Sequence, residues 1–201
     1  MIYELLTYLL GDAIYSFDGT ENTIVDLTTS LKCVQGNNPR SISFMIQTTS
    51  TSPSVILSTG SYVTYGAFGL SFNWGGGDGI IGIESNGGYY NPATGKVMND
   101  GLWHTVLVTY DGTTIYIYID GRLDNTATNW NSGSTATISS TLNTIGNTGN
   151  YLGQMMDGTE KWIGQLKNIC FYDYVVSNTY SLVNSYQLAG SVIYTSGINY
   201  N

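Results

Sequence analysis

Charge is what this sequence has least of. Only 10% of its 201 residues are Asp, Glu, Lys or Arg, against roughly 25% in ordinary domains. The shortage is one-sided: 6 Lys and Arg face 14 Asp and Glu, for a formal net charge of −8. Cations so few and so scattered exclude nucleic acid as a partner, because Lys and Arg are what neutralise phosphate. Polybasic docking on an anionic membrane surface is excluded on the same ground. No run reaches the roughly 18 apolar residues of a spanning helix, so no membrane insertion is expected. His104 is the lone histidine. No histidine metal cluster or His–carboxylate–Ser relay can be assembled without it, and its place beside Trp103 reads as structural. No segment has the length and period of an amphipathic helix, which excludes an α/β fold.

Other scarcities bear on compartment. Cysteine occurs twice, at Cys33 and Cys170, in a spacing that suggests no metal site. A bridge would close a long loop and contribute on the order of 4–5 kcal/mol in the chain-entropy model; the alternative is two buried thiols. The start, Met1 to Phe17, has no positive n-region, carries Glu4, and interrupts its apolar run at Thr7. It reads as folded, a strand or a short helix leading into one, and not as a secretory leader. None of the 18 Asn begins an Asn-x-Ser/Thr acceptor, where chance would supply about four. That points to a chain made outside the glycosylating route.

What is abundant is neutral hydrogen-bonding capacity. With 25 Gly, 17 Tyr and 45 Ser plus Thr, the surface must be built from hydroxyls and amides. Such a surface suits sugars, crystalline assemblies or close packing against other proteins. The length suits one all-β domain, residues 1–201, able to bury about 70% of its unfolded surface without staples.

The densest signal runs from Asn99 to Arg122. Val106, Val108 and Tyr110 alternate with Leu107 and threonines, then Ile115, Ile117 and Ile119 alternate with Tyr116, Tyr118 and Asp120. Asp111-Gly112 between the runs reads as a hairpin reversal, its glycine supplying positive φ. The hairpin is expected at the centre of an antiparallel sheet, with Trp103 in the core. Other strands are expected in two pieces over 13–27, then at 41–49, 55–57, 62–72, 80–84 and 162–172. Residues 135–145 have modest strand character, 177–188 suit one or two helical turns, and 192–194 suit a last strand. Loops are expected at 73–79, 85–96, 124–134 and 146–161. Short strands spaced in this way suggest a sandwich.

Several of these pieces form a familiar order. Phe17-Asp18-Gly19-Thr20, Ser41-Ile42-Ser43 and Ile56-Leu57-Ser58-Thr59-Gly60 come first. Asn99-Asp100-Gly101-Leu102-Trp103-His104, Val108-Thr109-Tyr110-Asp111-Gly112 and Tyr118-Ile119-Asp120-Gly121 follow, and then Ile145-Gly146 and Gly164-Gln165-Leu166 through Tyr172. Over about residues 13–188 the chain resembles the laminin G-like members of the concanavalin A-like lectin/glucanase superfamily. The resemblance implies an antiparallel two-sheet jelly-roll sandwich of fourteen or so strands. It also implies a binding or adhesion module, sometimes calcium-dependent. Met45 stands where the family often has Trp, and Cys170 where it often has Arg. Lys167 and Asn168 replace acidic neighbours, which removes that structural ion pair.

The chemistry follows from which side chains are grouped. Retaining glycosidases need two carboxyls about 5 Å apart, a spacing that residues two apart on a strand provide. No expected strand carries such a pair, so no catalytic residues and no enzyme activity are expected. Six Asp-Gly pairs offer calcium oxygens, but no Asp-x-Asp array accompanies them. Asp78 and Asp157, in the two richest loops, are the metal candidates, and no other cofactor is expected. The ligand-binding candidates are Trp74, Tyr89, Tyr90, Trp130 and Tyr151, aromatics in polar loop surroundings. Aromatic faces stack on sugar rings and anchor protein interfaces. The expected partner is a glycan or protein surface, outside the cell or on a virion. The competing expectation is a structural role among other subunits of a larger particle.

Overall fold

The structure is a computed structural model, and it describes residues 7–9, 13–28, 34–63, 66–74, 79–85, 89–90, 92, 95–127, 142–146 and 149–176. Thirteen strands are described: β1 (Thr7–Leu9), β2 (Tyr15–Asp18), β3 (Val25–Asp26), β4 (Arg40–Gln47), β5 (Ser54–Gly60), β6 (Ala67–Phe72), β7 (Ile81–Glu84), β8 (Tyr89–Tyr90), β9 (His104–Tyr110), β10 (Ile115–Ile119), β11 (Arg122–Ala127), β12 (Tyr151–Leu152) and β13 (Ile163–Tyr172). They make two antiparallel sheets. Sheet A runs β1-β13-β4-β9-β10-β11, with β2 also paired to β13; sheet B runs β3-β12-β5-β6-β7-β8. This is the jelly-roll sandwich that the sequence implies.

The central hairpin forms with Ile115 opposite Tyr110 and Ile119 opposite Val106. Its β9 takes a middle position in sheet A, while β10 lies next to the edge strand β11. Two details differ from expectation. Asp111-Gly112 lies in a four-residue loop, where Asp111 Oδ1 accepts from the amides of Thr113 and Thr114. The two-residue reversal is Asp120-Gly121, with φ of +51° and +76°. Positive φ at both positions is the type I′ turn whose twist suits a hairpin. Residues 122–127, of which 124–127 were expected as loop, accordingly extend the sheet as β11.

One core joins the sheets. Val106, Val108, Tyr110 and the three isoleucines of β10 meet Leu57, Phe68, Leu70, Phe72 and Ile83 from sheet B. The aromatic at its centre is Trp162, fully buried, edge-on to Phe72 at 5.0 Å. Trp103 is not a core residue. It shares the strand face of Leu107, which turns away from the sandwich interior, and lies half-buried with the Lys167 ammonium 4.3 Å from its ring centroid. The alternation was legible; which face Trp103 shared with the core was not. Leu107 joins Cys170, Tyr172 and Val176 in a second, smaller cluster on the outside of sheet A. The chain after β13 folds back there: Ser41 Oγ donates to the Tyr174 carbonyl at 2.8 Å and accepts from the Val176 amide at 3.0 Å. Cys170 is buried; Cys33 lies outside the described residues.

Arg40 is buried between the sheets at 3% exposure. It donates to the carbonyls of Asn38, Val34 and Gly36 and to Thr144 Oγ1. Its guanidinium also lies over the rings of Phe68 and Tyr110, at 5.5 and 5.7 Å. The expectations for 135–141, 177–188 and 192–194 fall outside the described residues.

Candidate functional site

Register decides which residues of sheet B share a surface. One row of cross-strand partners runs Asp26, Tyr151, Ser58, Gly69, Glu84, Tyr89. The adjacent row runs Val25, Leu152, Leu57, Leu70, Ile83, Tyr90. Successive side chains of a strand take opposite faces. The second row belongs to the core or packs against it, so the first row faces outward. Tyr151 and Tyr89, both half-buried, therefore stand on the same outer face, four strand spacings or roughly 19 Å apart.

The middle of that row is roofed. After Gly153 the chain makes an excursion over residues 154–160. Bonds from the Gly158 amide to Met155 O and from the Met155 amide to Thr159 O close it. Ser58 Oγ donates to the Gln154 carbonyl at 3.0 Å, which lays the root of the excursion over the row and leaves Ser58 with no exposure. From the opposite side, the loop joining β5 and β6 carries Tyr62 and Val63, at 54% and 46% exposure. The Tyr62 hydroxyl donates to the Asp157 carboxylate, so the two loops meet above the sheet.

The ionisable groups that act on Tyr62 in this roof are acidic. The bond to Asp157 is the main cause that holds the Tyr62 phenol above its usual value, and the charges of Glu160 and Glu84 add to it. Burial, helped by Asp157, pushes the Glu160 carboxyl up. Burial pushes Asp157 up as well, but hydrogen bonds from Thr159 and Tyr62 outweigh it and leave Asp157 below the ordinary value. Lys161, at the end of the excursion, is held by Glu21 at 2.8 Å and by the Gly158 carbonyl.

Of the expected ligand-binding residues, the structure brings Tyr89 and Tyr151 onto one face. Tyr90 does not join them on that face: alternation turns it inward, where it packs half-buried against the core. Trp74, 37% exposed, lies five residues beyond Gly69, roughly 16 Å along the strand direction. It sits at the end of the sandwich where Asn73 Nδ2 donates to the Ser50 and Ser52 carbonyls. Trp130 and Asp78 lie outside the described residues. Asp157 is at the site as a hydrogen-bond acceptor. Among the described residues, no group of three or more His, Cys, Asp or Glu is arranged to hold a metal ion.

Tyr62 is the residue that sequence reasoning missed, because 62–72 was expected to be one strand. The available signal was the glycine on either side. Gly60 has φ +106°, and a Cβ at Gly66 would meet Val63 Cγ2 at 2.3 Å, so the loop between them is tightly closed.

His104 has a different job. Its Nε2 lies 3.0 Å from Asp100 Oδ1 and its Nδ1 2.8 Å from Asp120 Oδ2. It therefore ties the Asp100-Gly101 loop to the Asp120-Gly121 turn, at 5% exposure.

Comparison with known proteins places this geometry. A family model described as the concanavalin A-like lectin/glucanases superfamily, of laminin G type, matches residues 18–179. No curated protein matches the chain. Among solved structures, the CBM40 of the Ruminococcus gnavus IT-sialidase is similar at TM-score 0.56 and 19% identity, covering 89% of this chain and 98% of that one. The receptor binding domain of botulinum neurotoxin type G is similar at TM-score 0.57 and 12% identity, over 90% of this chain and 44% of that one. Domains LG4-5 of the mouse laminin alpha1 chain are similar at TM-score 0.52 and 14% identity, over 83% of this chain and 42% of that one. The chain thus spans less than half the length of the toxin and laminin chains. At these identities the likeness is one of fold.

Proposed function

We propose that this chain, which belongs to the laminin G-like family of the concanavalin A-like lectin/glucanases superfamily, is a non-catalytic recognition domain that binds a glycan at the roofed face of sheet B. The observation that carries the reading is the outward row that sets Tyr151 and Tyr89 on one face, with exposed Tyr62 reaching over it. Aromatic rings on a sheet face offer stacking platforms for sugar rings. The hydroxyl- and amide-rich surface around them offers neutral hydrogen bonds. An extracellular setting goes with this reading. Two similar structures, a carbohydrate-binding module and a receptor binding domain, support it by analogy of fold alone.

A glycan array probed with the whole chain tests it. Binding of some oligosaccharide is expected, weakened at least tenfold by Tyr62→Ala or Tyr151→Ala, with the far-ultraviolet circular dichroism of the fold intact. Self-association with a blank array would favour the structural role in a particle, because such contacts need about 1,000 Å² of buried surface. Hydrolysis of a bound glycan that disappears in Glu160→Gln would overturn the non-catalytic reading.

A further inference from the structure

The outer face of sheet A carries a constellation that the roofed face of sheet B does not use. On β13, Leu166 points into the core, so Gln165 and Lys167 on either side of it point outward. A bulge follows: Lys167 lies opposite Met45 and Cys170 opposite Ser43, three steps on β13 against two on β4. Asn168 takes the extra place at φ +53°, a left-handed conformation that Asn tolerates. Its side chain comes up beside that of Lys167, with Nδ2 donating to Met45 Sδ at 3.8 Å, and Ile169 turns back into the core. Bulges re-aim side chains, and this one sets two consecutive residues on a single face.

From there Lys167 reaches across β4, where Met45 is its partner, and lays its ammonium 4.3 Å from the centroid of the Trp103 ring. Both residues are half-buried. Among the described residues, Lys167 forms no ion pair and donates no hydrogen bond. The acids of the adjoining turns are engaged elsewhere: His104 holds Asp100 and Asp120, and Thr20 and Thr23 hold Asp18. Gln47, opposite Gln165, borders the ring, its Nε2 donating to the Gly101 carbonyl at 2.7 Å. An ammonium whose contact is an aromatic face is held weakly. A carboxylate offers it a charge-assisted bond, and drawing it aside uncovers the indole for stacking.

We propose that Trp103, Lys167, Asn168, Gln47 and Gln165 form a second binding site, on the outer face of sheet A, for a saccharide that carries a carboxylate. The Lys167 ammonium takes the carboxylate, the indole takes the sugar ring, and the three side-chain amides bond its hydroxyls. This site is independent of the roofed face of sheet B.

Isothermal titration calorimetry of the whole chain tests it, with trimers of galacturonic and of mannuronic acid and with sialyllactose, each beside its methyl ester. At least one acid should bind at least tenfold tighter than its ester, which keeps the ring and removes the charge. Lys167→Gln should bring acid and ester to within about twofold, while Lys167→Arg should keep most of the gap. Trp103→Ala, checked for folding by thermal unfolding, should weaken acid and ester alike by about fivefold. Tyr62→Ala, on the other sheet, should leave both affinities unchanged, so that failure of one site is read separately from failure of the other. The inference is overturned if no acid in the set binds, if the esters bind as tightly as the acids, or if Lys167→Gln retains the preference.

Discussion

Replacing Arg40 tests how the two sheets are joined at the end where β6 begins. Bonds that it donates go to the carbonyls of Val34, Gly36 and Asn38 and to Thr144 Oγ1, at 2.6–3.0 Å. Hydrogen bonds to a charged group are each worth about 1.5–3 kcal/mol, so a simple addition would exceed 6 kcal/mol. That overstates the loss. Three of the bonds are only part-buried, and water can replace the guanidinium at those carbonyls. The Thr144 bond is buried, and the stacked contacts with Phe68 and Tyr110 add about 0.5–2 kcal/mol. Arg40→Ala should therefore cost about 3–5 kcal/mol, a large part of a typical domain's net stability of about 5–15 kcal/mol. Arg40→Lys should recover less than half, since an ammonium has three donors and no flat face to lay on the rings. Equilibrium urea denaturation of both variants, with the slope checked against the parent, reads these values. A loss under about 1 kcal/mol for Arg40→Ala would mean that the guanidinium fills space and organises nothing.

Trp162→Ala should cost roughly 3–5 kcal/mol as an emptied core site, while Trp103→Ala should cost only about 1 kcal/mol, for half-burial and one cation–π contact. Equal losses in the same urea titration would show the two faces of sheet A to be exchanged. The turn carboxylates set the acid limit. Hydrogen bonds from Thr20 hold Asp18 low, and the Leu102 amide followed by His104 holds Asp100 low. Burial pushes Asp111 up, but bonds from Thr114 and Thr113 outweigh it and leave it low as well. A carboxyl whose folded pKa is depressed stabilises the native state above its unfolded value, here 3.8. That stabilisation is lost as pH falls through the lower folded value. Glu160, pushed up from 4.5, has the opposite sign and lowers stability as pH rises past that value. The urea midpoint should drop steeply below about pH 4; a midpoint flat down to pH 2.5 would contradict the assignment.

Much of the fold was legible because a half-buried strand writes itself in period two. Ile115, Ile117 and Ile119 are inward and fully buried, and Tyr116 and Tyr118 are half-buried on the other side. The strands Ser41–Thr49 and Trp162–Tyr172 were readable to within a residue or two for the same reason. The site was only half legible. Tyr89 and Tyr151 are recognisable as aromatics in polar company, but that they share a row depends on pairing between strands far apart in sequence. It also depends on the register shift between Val55 and Leu57. A bulge of one residue exchanges the faces of everything beyond it, and no local pattern marks where it falls. Ile56 and Leu57 are both in the core, which strict alternation forbids. Tyr62 and Asp157 lie 95 residues apart in the sequence, and only the folded loops bring them together.

The position of β13 has a consequence for how the chain is made. One side of this strand is shared by β1, with Thr7 opposite Tyr172, and by β2, with Asp18 opposite Ile163. Its other side pairs with β4. Sheet B, apart from its β3 and β12 end, and the β4-β9-β10-β11 part of sheet A are built from neighbours that emerge earlier. The first two strands have no described partner until the last one leaves the ribosome. At about 5–20 residues per second, that wait lasts on the order of ten seconds. Throughout it β4 presents an open edge with Ile42, Phe44 and Ile46 on one face, the kind of edge to which a stray strand adds. Loss of the chain beyond Trp162 would therefore leave a sticky, unfinished sheet, even though most of the interior has already been synthesised.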